Sequence, residues 1–144
     1  MILKNCTFFN ENFEKEYGDI EIENGKIKQI GILDGDGKDM AGKIIIPGFI
    51  DVHIHGCAGG DASDADKSGL EKMAKELAKH GVTSFCPTSM TLPKERLESI
   101  VKAIKEFKEE NHGGAKVMGI NLEGPFIAMS KKGAQNAEYV RGGT

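Results

Sequence analysis

Asp51-Val52-His53-Ile54-His55-Gly56 sets two imidazoles two residues apart inside an apolar run. On a β-strand, side chains at i and i+2 stand on one face, so His53 and His55 should point the same way. Two neutral ring nitrogens on one face can chelate a divalent transition metal. The competing reading is a pair of core histidines with satisfied hydrogen bonds. A second group ends the run Gly119-Ile120-Asn121-Leu122-Glu123, just before Gly124-Pro125-Phe126. A carboxylate drawn into apolar surroundings needs a compensating partner, and a metal ion is one of the few that suffice. A solvated turn glutamate is the competing reading of Glu123. Asn121 could orient a ligand, but a structural role is the simpler reading.

Other features carry less. Gly56-Cys57-Ala58-Gly59-Gly60-Asp61 follows a strand, but it lacks the Gly-Lys-Ser/Thr of a phosphate loop and continues acidic. Cys57 stands beside the histidines and could lie near a site, whereas Cys86 reads as strand packing. Lys131-Lys132 is too short for a nucleic-acid patch.

The elements that must position these residues alternate. Ile2–Phe9, Asp19–Glu23 and Lys26–Ile30 read as strands, with Asn24-Gly25 as a tight hairpin turn and Asp34–Gly37 as a second turn. Ile44–Ile46 and Phe49–Ile54 read as strand buried on both faces. A helix is predicted over Asp66–His80, with Leu70, Met73, Ala74, Leu77 and Ala78 as its apolar stripe and Gly81 as its stop. Val82–Cys86 should be a short strand ending at Pro87. Thr91-Leu92-Pro93 should open a second helix whose stripe is Leu97, Ile100, Val101, Ile104 and Phe107. Val117–Leu122 reads as a third buried strand, and Glu123 to Thr144 as a long loop. This β-α-β-α-β order implies a parallel α/β sheet. It fits either an open doubly wound sheet or the opening third of a (β/α)₈ barrel, which needs about 250 residues. On the barrel reading the chain is expected to be incomplete.

The 144 residues carry 19 Lys+Arg against 22 Asp+Glu, a formal charge of −3, which argues against nucleic acid as the main partner. Apolar residues at 39% and charged residues at 28% suit a globular chain. No apolar run approaches the ~20 residues of a membrane span, and no signal-like segment follows Met1. Three scattered cysteines do not make a disulfide framework, so a cytoplasmic location is expected.

Pro47-Gly48-Phe49-Ile50-Asp51-Val52-His53-Ile54-His55-Gly56 resembles the first-strand signature of the amidohydrolase superfamily of metal-dependent (β/α)₈ hydrolases. Two later stretches are similar to the N-acetylglucosamine-6-phosphate deacetylases within it. One is Gly81-Val82-Thr83-Ser84-Phe85-Cys86-Pro87-Thr88-Ser89. The other is Leu122-Glu123-Gly124-Pro125-Phe126 with Lys131-Lys132-Gly133-Ala134-Gln135-Asn136 and Glu138-Tyr139-Val140-Arg141.

The resemblance implies a small antiparallel, β-sandwich-type unit over residues 1–46. The first three βα units of the barrel would follow over 47–144. It implies Glu123 as a metal ligand, with His53 and His55 as ligands of a second metal position. One or two divalent ions, zinc or iron, would serve each site. Ala134 and Gln135 match a loop position that touches the amino sugar. The catalytic aspartate that acts as general base, two further metal-binding histidines and the phosphate contacts would come from strands beyond Thr144, so this chain alone should be inactive. The implied partner is a small phosphorylated amino sugar, with no nucleic acid or membrane, and the parent would be a homodimer. Two rivals stay open: another amidohydrolase such as a dihydroorotase or aminoacylase, and a non-catalytic flavodoxin-like binding domain.

Overall fold

Alternating polar and apolar residues fold the first third of the chain into one sheet. In the computed structural model, which describes residues 1–110 and 113–142, the chain divides into two compact units, Met1–Pro47 and Gly48–Thr144. The first unit holds β1 (Ile2–Phe9), β2 (Lys15–Glu23), β3 (Lys26–Gly31), β4 (Lys38–Asp39) and β5 (Ile44–Ile45). Asn24 and Gly25 both take positive φ, as the two-residue turn joining β2 to β3 requires. The expected all-antiparallel unit is mixed, because β4 and β5 both run parallel to β1. It is one five-stranded sheet rather than two packed sheets, and its core is the small cluster Cys6, Phe8 and Ile20.

The second unit carries the alternation. Its elements are β6 (Phe49–Ile54), the short hairpin β7 (Gly56–Cys57) and β8 (Gly60–Asp61), α1 (Lys67–Lys79), β9 (Val82–Ser89), α2 (Lys94–Glu109), β10 (Lys116–Val117) and β11 (Asn121–Leu122). The side chain of Asp66 caps α1 by accepting from the Ser68 and Gly69 amides. β9 pairs in parallel with β6 on one side and with β10 and β11 on the other, so the strands lie in chain order. Leu70, Met73 and Leu77 of α1 and Ile100, Ile104 and Phe107 of α2 join a single cluster with Phe85 and Val117. Both helices therefore cover the same face. Sequential strands with helices on one face match a singly wound barrel and not a doubly wound, flavodoxin-like sheet.

Several expectations are corrected. Phe49–Ile54 is not buried on both faces: Ile50 and Val52 are over 60% exposed, because they share the helix-facing side with Ile54 while α1 and α2 pack over β9 and leave that stretch uncovered. β9 does not stop at Pro87. The ladder shifts register there instead: Ile54 stands opposite Pro87, and its amide donates to the Thr88 hydroxyl at 3.0 Å. The third strand is broken into β10 and β11. From Val117 to Asn121 the chain takes four steps while its partner takes three, from Phe85 to Thr88, which leaves one extra residue as a bulge. In the helices, Ala78 and Val101 turn outward, while Gly69 and Ala103 are buried in their place. The final segment is a loop with two 3₁₀ turns, Met129–Lys131 and Ala137–Tyr139. Gly143 and Thr144 of that expected loop lie outside the described residues.

Candidate metal centre

The period of β6 decides where its side chains go. Ile54 packs against the helix-facing cluster, and the flanking histidines share the opposite face, their rings 5.0 Å apart and edge-on. The β9–β11 pairing then brings Glu123, one residue past β11, to the same end of the sheet. His53 Nε2 lies 3.0 Å and His55 Nε2 lies 3.1 Å from Glu123 Oε2, and the two Nε2 atoms are 3.3 Å apart. Residues 53, 55 and 123 thus bring three potential ligand atoms together within 3.3 Å of one another.

Each group is oriented by a neighbour. His55 Nδ1 sits 3.1 Å from the carbonyl oxygen of Thr88. Only an N–H can face a carbonyl at that distance, so the neutral ring carries its proton on Nδ1 and aims the Nε2 lone pair at the carboxylate. Two lone pairs at 3.1 Å repel, and a proton or a metal cation must lie between them. Asn121 Nδ2 reaches the Val52 carbonyl oxygen at 3.1 Å and His53 Nδ1 at 3.3 Å. The Gln135 amide donates to Glu123 Oε1 at 2.7 Å. That bond foremost, with the two histidines beyond it, holds the Glu123 carboxyl below the usual carboxylate range against the opposing effect of burial.

The donor set fits a divalent ion. Two imidazoles and one carboxylate with room for further ligands is the set of catalytic zinc sites and of non-haem iron sites. Atoms 3.0, 3.1 and 3.3 Å apart share a centre about 1.8 Å from each, close to the ~2.0–2.2 Å of zinc–nitrogen and zinc–oxygen bonds. All three side chains are partly open to solvent, which leaves access for water or substrate.

The loop residues divide. Ala134 is exposed. Gln135, matched by resemblance to a sugar-contacting position, is 4% exposed and has both ends of its amide engaged inside the unit. Cys57 packs against the core, its thiol directed to the Met73 carbonyl oxygen. Thr88 and Thr91, which orient the donors, were not singled out among the sequence candidates. Thr88 reads as the end of a strand and Thr91 as the opening of a helix, and only the fold reveals the backbone atoms they serve.

The sequence profile of the amidohydrolase family matches residues 44–142. The chain belongs to the amidohydrolase family. Among curated amidohydrolase relatives, an N-acetylglucosamine-6-phosphate deacetylase of Lysinibacillus sphaericus is 34% identical over 97% of this chain and 37% of its own length. The mouse protein of the same name is 45% identical over 72% of this chain and 26% of its own. The solved structure of the Thermotoga maritima deacetylase superimposes on the whole chain with a TM-score of 0.84 at 30% identity, over 38% of that structure. The chain therefore spans about a quarter to two fifths of the relatives it matches.

Proposed function

We propose that this chain is the N-terminal portion of a metal-dependent amide hydrolase that removes the acetyl group from N-acetylglucosamine 6-phosphate, giving acetate and glucosamine 6-phosphate. The observation that carries the reading is the convergence of His53, His55 and Glu123 on one point in an amidohydrolase chain. The names of the relatives supply the substrate class. On this reading residues 47–144 are the first three βα units of a (β/α)₈ barrel, and the full protein is a cytoplasmic homodimer.

His53, His55 and Glu123 would hold a divalent ion, zinc or iron, and one ion satisfies all three as they stand. When bound, that ion supplies a Lewis acid for the amide carbonyl and lowers the pKa of water toward ~7. The chain's own residues prepare the place. Thr88 fixes the His55 tautomer, Gly56 opens the β7–β8 hairpin after the second histidine, and exposed Ala134 borders the loop that would meet the sugar. A carboxylate from a later strand would take the water's proton and pass it to the leaving amine.

The test is acetate release from N-acetylglucosamine 6-phosphate by the full-length protein carrying this chain, with and without a chelator. Metal-dependent release that falls with Glu123→Gln is the expected result. Unchanged turnover in that variant would refute the assignment. Glu123→Gln should also weaken metal binding by at least about 10–100-fold, as even indirect ligand supports cost that much. Because the three donors share one point, losing either histidine should have a comparable effect.

A further inference from the structure

We propose that Gln135 is a positioning residue for the metal site, its buried side-chain amide locking the Glu123 carboxylate so that Oε2 is presented to His53 and His55. The inference rests on the reading of those three residues as metal ligands.

Its amide orientation is fixed by a backbone group. The Thr91 N–H lies 2.8 Å from Gln135 Oε1. A donor there requires the oxygen, so Nε2 is the atom that faces Glu123 Oε1 at 2.7 Å. The Gln135 backbone is tied in turn, since its N–H donates to the Lys132 carbonyl at 3.0 Å and its own carbonyl accepts from Lys132 Nζ at 3.0 Å. Thr91 completes the clasp, its hydroxyl donating to the Glu123 backbone carbonyl at 2.7 Å. One pair of residues thus grips Glu123 at both ends: Thr91 holds the main chain and Gln135 holds one carboxylate oxygen.

A glutamate side chain turns about three torsions, and Glu123 is about one third exposed, so water competes for its carboxylate. Holding Oε1 leaves one oxygen turned toward the imidazoles before any ion arrives, and a ligand ordered in advance binds with less loss of rotamer freedom. The buried amide is also too engaged to serve a sugar directly, which separates this role from a substrate contact.

Cobalt(II) titration of the full-length protein carrying this chain, followed by its visible absorption and by competition with a chelator, tests the proposal. Gln135→Met keeps length and volume but lacks both hydrogen bonds. Gln135→Asn keeps a buried amide that is one methylene too short to span Thr91 and Glu123, and serves should the methionine variant fail to fold. Circular dichroism monitors folding, and Glu123→Gln provides the loss of a ligand itself. The expected result is cobalt bound about 10–100-fold more weakly by the folded Gln135 variants, with a changed absorption spectrum. A residue that only packs the loop would lower the melting temperature and leave affinity and spectrum alone. Wild-type affinity and spectrum in both variants, with binding lost in Glu123→Gln, would overturn the positioning role and spare the site. A wild-type full-length protein that takes up no cobalt would overturn the site reading and this inference with it.

Discussion

Thr88 holds the second histidine of the site through its main chain and the first strand through its side chain. Its carbonyl accepts from His55 Nδ1, while its hydroxyl accepts the Ile54 amide at 3.0 Å and donates to the Cys86 carbonyl at 3.2 Å. The residue is fully buried, so no water replaces these contacts. Thr88→Val keeps the shape and strands two buried backbone groups, and should cost about 1–3 kcal/mol. Chemical denaturation would register the loss. A stability equal to wild type would mean the hydroxyl is not required for the β6–β9 junction.

Gly124 follows the proposed ligand at a φ of +101°. A Cβ there would run into the Thr91 side chain that clasps Glu123. Gly124→Ala should cost about 1–3 kcal/mol in backbone strain alone and should also weaken metal uptake by displacing Thr91. Thermal melts and a zinc titration would be read together. Full metal affinity in a destabilised variant would dissociate the clasp from the site.

The order of elements was legible because hydrophobic periodicity survives in Asp66–His80 and in the stripe from Leu97 to Phe107. What failed was local. Ile50 and Val52 have the composition of a doubly covered strand, and composition does not say how many neighbours are present. Pro87 reads as a strand end, since it has no N–H to donate, yet β9 runs on to Ser89 and the Thr88 hydroxyl accepts the Ile54 amide. The donor residues themselves could be picked from type and position. Glu123 carried no sign of its partners, because the β9–β11 register and the bulge after Val117 that deliver it depend on pairing across tens of residues. Gln135 was noticed only by resemblance, and its buried amide could not be read from the chain.

The first unit makes a separate prediction about acid. Asp19 is buried and accepts from Lys4 Nζ at 2.8 Å, from the Asn5 amide at 2.9 Å and from the Leu33 amide at 3.0 Å. The Lys4 ammonium foremost, then the two amides, lower its carboxyl from 3.8 to about 2. The folded carboxylate is favoured over the unfolded one, so this contribution is complete above the unfolded value and disappears as pH falls from about 4 toward 2. Asp19→Asn should therefore be less stable than wild type at neutral pH, with the gap closing across that window. Urea melts at intervals between pH 2 and 6 would check it, and a constant gap would remove Asp19 from the acid response.

The central claim is that His53, His55 and Glu123 bind one divalent ion together. Anomalous diffraction at the zinc edge, from crystals of the full-length protein carrying this chain grown with zinc, locates such an ion directly. The predicted result is a single strong peak about 2.0–2.2 Å from His53 Nε2, His55 Nε2 and Glu123 Oε2. A map with no peak there, the histidines still in direct contact with the Glu123 carboxylate, would contradict it.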